Sequence, residues 1–189
     1  MIALDQTRPL PGKVVRWGIT GRLLHWAMAM LIIGLVAVGL VMTHGHFDLG
    51  TTFALYQAHK SYGLIVLPLL LWRLLWRWRT TAPPAPPGMP PIERRLARVA
   101  HGLFYGLMAA LPVSGWIMAS ASPLRLPTRP FNLFSMPDLV RPDPVLFERL
   151  RLLHEVVAYG LVALLVLHVA AALKHHLLDK DDVLRQIGF

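Results

Sequence analysis

Apolar residues gather in four long runs, divided by shorter polar or proline-rich stretches. The first run lies near 22–43, "RLLHWAMAMLIIGLVAVGLVMT", and the second near 56–78, "YQAHKSYGLIVLPLLLWRLLWRW". The third lies near 97–120, "ARVAHGLFYGLMAALPVSGWIMAS", and the fourth near 153–174. Each is long enough to cross about 30 Å of hydrocarbon at about 1.5 Å per residue. The pattern predicts an all-α integral membrane four-helix bundle, one domain over residues 1–189. Pro68 and Pro112 fall inside helices two and three. Neighbouring helices can re-satisfy the freed carbonyls in a membrane bundle, so kinks are expected, not breaks.

The connections differ in kind. Residues 44–55, "HGHFDLGTTFAL", read as a short loop. Residues 80–92, "TTAPPAPPGMPPI", hold too many prolines for helix and read as a stiff surface linker. Residues 121–150 form a longer loop with six prolines: 123, 127, 130, 137, 142 and 144. No internal repeat is evident.

Composition supports the membrane reading. Hydrophobic residues make up 55% of the 189, charged residues only 15%, and the mean hydropathy is +0.51. Cysteine is absent, which excludes disulfides, Cys-ligated iron–sulfur clusters, Cys-linked c-type haem and thiolate catalysis. The polar N-terminal arm and the lack of a small-residue cleavage site argue against a signal peptide. The net charge is +9, and much of it flanks the apolar runs. That points to topology and anionic lipid, not nucleic acid.

One side would carry thirteen basic residues: Arg8, Lys13, Arg16, Arg22, Arg73, Arg77, Arg79, Arg94, Arg95, Arg98, Lys174, Lys180 and Arg185. The other would carry six: Lys60, Arg125, Arg129, Arg141, Arg149 and Arg151. Both termini should therefore be cytoplasmic, in a multi-pass membrane protein. Trp72, Trp76 and Trp78 fit an interfacial aromatic belt.

Ionisable groups in hydrocarbon are costly and mark function. The stretch "LLHEVVAYGLVALLVLHVAAAL", 152–173, holds His154, His168 and Glu155. His44 and His46 read as solvated loop residues, and His175 and His176 as interfacial anchors. The other five sort by depth. His59 and His154 form an outer layer, and His25, His101 and His168 an inner one. His154 and His168 are fourteen residues apart. At about 3.6 residues per turn they share one face, about 21 Å apart along the axis. Zinc usually takes four ligands, often including thiolate or carboxylate. Imidazoles facing each other at two levels fit a planar macrocycle better, and bis-His haem between helices is the expected cofactor. Neutral imidazole is the ligand form, so no buried charge is needed. Gly21, Gly63, Gly102, Gly106, Gly160, Ala170 and Ala171 are small residues that would let a flat ring approach the backbone, or simply tighten helix packing.

These features come together in a family pattern. "RLLHW", "QAHKSYG", "AHGLFYGLMAALPVSGW", "LLHEVVAYGLVALLVLH" and "AALKHHLLDKDDVL" occur in that order over residues 16–187. The chain resembles the bacterial cytochrome b561 family of four-helix, dihaem membrane proteins, related to the b-type cytochrome subunits of nickel–iron hydrogenases. The tail "LKHHLLDKDDVL" is especially similar to the superoxide oxidase branch. The resemblance implies two b-type haems, with His59 and His154 on the outer haem and His25 and His168 on the inner. It leaves His101 as the third inner-layer imidazole, a ligand or a quinone-pocket residue. It also implies quinone at the inner end and electrons passed from superoxide to ubiquinone.

The residues bear on that chemistry unevenly. His101, Lys174, His175 and the Arg94–Arg95 pair offer donors for a quinone, although lipid headgroups explain basic residues equally well. Superoxide is a small anion, and an electropositive outer surface would concentrate it. Lys60 follows His59, and Arg149 and Arg151 precede His154. Glu155 points about 100° from His154 and is placed to pair with Arg151, four residues earlier. A second reading is a non-enzymatic cytochrome anchor that relays electrons for a partner dehydrogenase or hydrogenase. A third is a histidine-lined metal transporter, which would need more acidic groups in the helices than Glu155 alone.

Overall fold

The computed structural model describes residues 14–188. Arg8 and Lys13, assigned to the inner side above, lie outside the described residues. Among the described residues there is no strand, and four long helices carry the fold: α1 Ile19–His44, α2 Leu49–Arg79, α3 Pro91–Ala121 and α4 Pro144–Lys174. A single π turn, His175–Asp179, continues α4, and a short helix α5, Val183–Ile187, ends the chain.

The helices overrun the apolar runs because capping chemistry sets their starts. The 44–55 stretch is not a loop throughout: α2 begins at Leu49 because Asp48 caps it. The Asp48 carboxylate accepts from the Thr51 N–H at 3.0 Å and from the Thr51 hydroxyl at 2.6 Å. Asp143 likewise accepts from the N–H groups of Val145 and Leu146 at 2.9 and 3.0 Å, with Pro144 in the first helical position. That adds about two and a half turns to the front of the fourth apolar run. α3 begins on Pro91, with Glu93 in its first turn at the positive end of the helix dipole. α2 and α3 run unbroken through Pro68 and Pro112.

Three stretches are long and apolar enough to cross a membrane: Ile19–His44, Pro91–Ala121 and Pro144–Asp179. α2 is as long as α3, at 31 residues, yet falls short of that mark. The difference lies in what α2 carries, including Lys60, Arg73, Arg77 and Arg79. Its position is nevertheless inside the bundle, because it packs against both α1 and α3. α3 packs closely on α4. The α4 backbone meets α1 and α2 at isolated points at most.

The tight core joins α1, α2 and α3. Met28, Val66, Leu70 and Met108 are buried together, with Leu31, Ile32, Leu35, Leu69, Phe104, Tyr105 and Ala109 packed around them. Much of the remaining apolar surface, including Met30, Leu71, Val166 and Leu167, is exposed. On a bundle meant for lipid this surface is the expected exterior.

Both ends of the bundle are tied. The Trp17 N–H donates to the Gln186 carbonyl at 3.0 Å, Arg22 Nη1 to the Gly188 carbonyl at 2.7 Å, and Trp26 Nε1 to the Ile187 carbonyl at 3.1 Å. Gln186 Nε2 reaches the Pro84 carbonyl in the linker at 2.9 Å. The start of α1 and the end of the chain therefore share one end of the bundle. At the other end the long loop is pinned down. The Phe131 N–H donates to Ser61 Oγ at 3.1 Å, the Leu139 N–H to Ser120 Oγ at 3.1 Å, and Trp116 Nε1 to the Pro137 carbonyl at 3.0 Å.

Asp143→Ala removes two side-chain hydrogen bonds from the first turn of α4. It is expected to destabilise the protein by about 1 kcal/mol, as loss of a helix cap does. Chemical unfolding in detergent, followed by circular dichroism, measures this.

Candidate functional site

The five interior histidines form two layers, as their spacing predicts. In the outer layer the rings of His59 on α2 and His154 on α4 lie 6.4 Å apart, centre to centre, at 74°. In the inner layer His168 of α4 is the hub. It lies 6.3 Å from His25 of α1 and 5.9 Å from His101 of α3, with Phe104 edge-on at 5.3 Å. His25, His59, His154 and His168 are half-buried, whereas His101 is exposed.

The fourteen-residue step of α4 recurs on every long helix. α1 carries His25 and Gly39, α2 His59 and Arg73, α3 His101 and Gly115, and α4 His154 and His168. The inner layer thus draws three imidazoles and one guanidinium, and the outer layer two imidazoles and two glycines. The buried core of α1, α2 and α3 falls between these two levels on each helix. Gly39, Arg73 and Gly115 were not singled out from sequence as site residues. Stepping fourteen residues from each interior histidine would have found all three.

The two outer glycines seat the imidazoles. A Cβ on Gly39 would lie 3.4 Å from His59 Cε1, and one on Gly115 would lie 3.2 Å from His154 Cε1. The small residues singled out from sequence behave differently. A Cβ on Gly63, Gly102, Gly106 or Gly160 would meet nothing within 4 Å, and one on Gly21 would rest against Trp17 and Trp76 at 3.9 Å. Ala170 and Ala171 are exposed.

Hydrogen bonding sets the state of each ring. Ser114 Oγ donates to the Leu111 carbonyl at 3.0 Å, so its lone pair is what faces His154 Nδ1, also at 3.0 Å. His154 therefore carries its proton on Nδ1, and its Nε2 is a bare lone pair suited to a metal. His59 Nδ1 is buried with no hydrogen-bond partner of good geometry among the described residues, with the Leu35 backbone facing it. Arg73 Nη2 donates to His25 Nδ1 at 3.2 Å.

The donor set fits a haem. Two imidazole nitrogens that held one iron, each at about 2 Å from it and about 1 Å from its own ring centre, would put the ring centres about 6 Å apart. The His59–His154, His25–His168 and His101–His168 pairs all stand near this separation. Neither layer gathers three donor atoms closely enough for a small bare ion. Among the described residues only Glu93, His175 and Asp179 do so, within 4.8 Å. There the Lys174 ammonium already bridges Glu93 and Asp179, at 2.8 Å to each.

Lys174 and His175 thus sit in an ion-pair network. His175 Nδ1 lies 2.7 Å from Asp181, and its Nε2 lies 3.7 Å from Glu93. The network joins the first turn of α3 to the end of α4. Arg94 and Arg95 are exposed beside it. At the outer end Lys60 is half-buried next to His59, and Arg149 is exposed. Arg151 is engaged by Glu148 at 2.9 Å and by Glu155 at 3.4 Å, the latter being the pair its spacing predicts. His44, His46 and His176 are exposed and join neither layer.

Long apolar helices that pair imidazoles across their interior define a membrane b-type cytochrome. The model of the prokaryotic cytochrome b561 family matches residues 16–189, and the chain belongs to that family. It is 32% identical to cytochrome b561 homolog 2 of Escherichia coli K12 over 173 residues, covering 91% of this chain and 90% of that protein. It is 29% identical to the probable superoxide oxidase CybB of Yersinia pestis over 171 residues, 85% of this chain and 89% of that protein. Cytochrome b561 homolog 1 of Escherichia coli K12 is 26% identical over 171 residues, 89% of this chain and 94% of that protein.

Gly115→Val places bulk against the His154 ring and is expected to lower haem content and alter the reduced-minus-oxidised spectrum. Gly34→Ala, exposed on the face of α1 opposite His25, should leave both unchanged. The pyridine haemochrome assay on the two purified variants checks the pair.

Proposed function

We propose that this chain carries two b-type haems and passes electrons across the bacterial inner membrane from superoxide to the quinone pool, as a superoxide oxidase. The observation that carries the dihaem reading is the repeated pairing of imidazoles at two depths on helices with a common register. His59 and His154 hold the outer haem, and His25 and His168 the inner. His25 is preferred over His101 because it is the less exposed of the two. Each haem supplies a reversible one-electron carrier.

The remaining steps belong to the chain's own residues. Each superoxide gives up one electron at the outer end and leaves as dioxygen. Lys60 and Arg149 attract the anion; Arg151, held by two carboxylates, contributes less. At the inner end quinone takes two electrons and two protons to become quinol. Glu93, His175, Asp179 and Asp181 form a network of proton-exchanging groups there. His101, Arg94 and Arg95 offer donors to the quinone or to lipid headgroups. The clustering of basic residues at the end of the bundle where the start of α1 meets α5 supports a cytoplasmic location for both termini. The likeness to a probable superoxide oxidase supports the choice of donor.

The purified protein should show about two haems per chain, reducible by a superoxide-generating system and reoxidised by added ubiquinone. His59→Ala and His154→Ala should each remove mainly one haem, and His168→Ala the other. Loss of both haems from all three variants would overturn the two-layer assignment. Haem that superoxide reduces no faster than a neutral reductant of similar strength does would favour an anchor that relays electrons for a partner dehydrogenase.

A further inference from the structure

Arg73 stands out as a cation at depth without an anion. It lies four turns inward of His59 on the same face of α2, level with the inner imidazoles. Its guanidinium is 3.2 Å from His25 Nδ1, and the His25 ring stands 6.3 Å from His168, which is 5.9 Å from His101. Among the described residues no carboxylate lies within ion-pair distance of it. Glu93, Asp179 and Asp181, the acids of the inner network, are engaged by Lys174 and His175. A guanidinium at membrane depth calls for a counter-charge.

Its present contact conflicts with haem ligation. A neutral His25 that binds iron through Nε2 carries its proton on Nδ1, where it can only donate. Every nitrogen of arginine also only donates. Two donors cannot share a hydrogen bond, so the Arg73–His25 contact and iron ligation by His25 exclude one another. Haem b brings two propionates, which are carboxylate acceptors of the kind a guanidinium binds best.

We propose that Arg73 is the anion-binding residue of the inner haem site, its guanidinium leaving His25 Nδ1 for a haem propionate when His25 takes the iron. This rests on the reading of His25 and His168 as the inner ligands. α2 then serves both sites, with an axial ligand for the outer haem and a charge partner for the inner. A fixed positive charge beside the inner haem favours its reduced form, because reduction adds negative charge. Arg73 thereby raises the inner potential relative to the outer and biases electrons inward.

The test is a redox titration of the holoprotein in detergent, with haem content measured first. Wild-type protein with fewer than two haems would remove the underlying reading before any variant is made. In Arg73→Gln, one midpoint potential should fall and the other hold. The expected size is about a tenfold loss in reduced-to-oxidised ratio at fixed poise, about 59 mV for one electron. Arg73→Lys, which keeps the charge, should fall less, and the propionate vibrations of one haem should shift in the resonance Raman spectrum of Arg73→Gln. Two unchanged potentials at full haem content would overturn the proposal. If Arg73→Gln binds only one haem, Arg73→Lys decides. Two haems with one small fall support the proposal, and two unchanged potentials overturn it.

Discussion

The α-helix returns to the same face after fourteen residues, and the molecule is organised around that step. Four turns cover about 21 Å, enough to reach from one side of the hydrocarbon toward the other. Each long helix uses the step once: His25 to Gly39, His59 to Arg73, His101 to Gly115 and His154 to His168. The buried apolar cluster fills the interval between the two levels. The levels are therefore set by helix geometry and held apart by packing, and no loop has to position a ligand. Rigid elements hold a site more accurately than loops do.

Polar groups in the bundle follow the same plan. α2 falls below the hydropathy of its neighbours because of Lys60 beside the outer pair and Arg73 and Arg77 toward the inner one. Arg77 has a partner in the Trp17 ring, 5.0 Å away, and Arg73 has His25. Lys174 and His175 are matched by Glu93, Asp179 and Asp181 at the inner boundary. Glu155, the acid in the fourth apolar run, faces outward to Arg151. Its exposed ion pair asks nothing of the interior, which accounts for the one charge there that haem binding does not require.

Much of this was legible in the sequence, because apolar length and histidine spacing are one-dimensional signals. The four helices, the unbroken passage through Pro68 and Pro112, the two layers and the Arg151–Glu155 pair all follow from such spacing. Helix starts were less accessible. The side chains of Asp48 and Asp143 extend α2 and α4 well past the apolar boundary, and a hydropathy window does not register a cap. Two glycines at the site were hidden for a related reason. Gly63, Gly102, Gly106 and Gly160 are close to histidines in sequence, but Gly39 and Gly115 touch them in space. Contact across helices depends on which faces meet, and sequence proximity does not carry that. His25 and His101 stand at nearly equal distances from His168, so spacing alone leaves both open as its partner.

The stand-off of α4 bears on how the protein assembles. α1, α2 and α3 share a buried apolar core, whereas α4 rests its backbone closely on α3 alone and reaches α1 and α2 through side chains. Those side chains include His154, which faces His59, and His168, which faces His25. Helices in lipid gain little from burying apolar surface against one another, so a ligand that joins two of them supplies attachment that packing does not. Without a cofactor α4 is held to the bundle along α3, and a haem at each level would add a tie across the interior, from α4 to α2 at the outer level and from α4 to the inner imidazoles at the other.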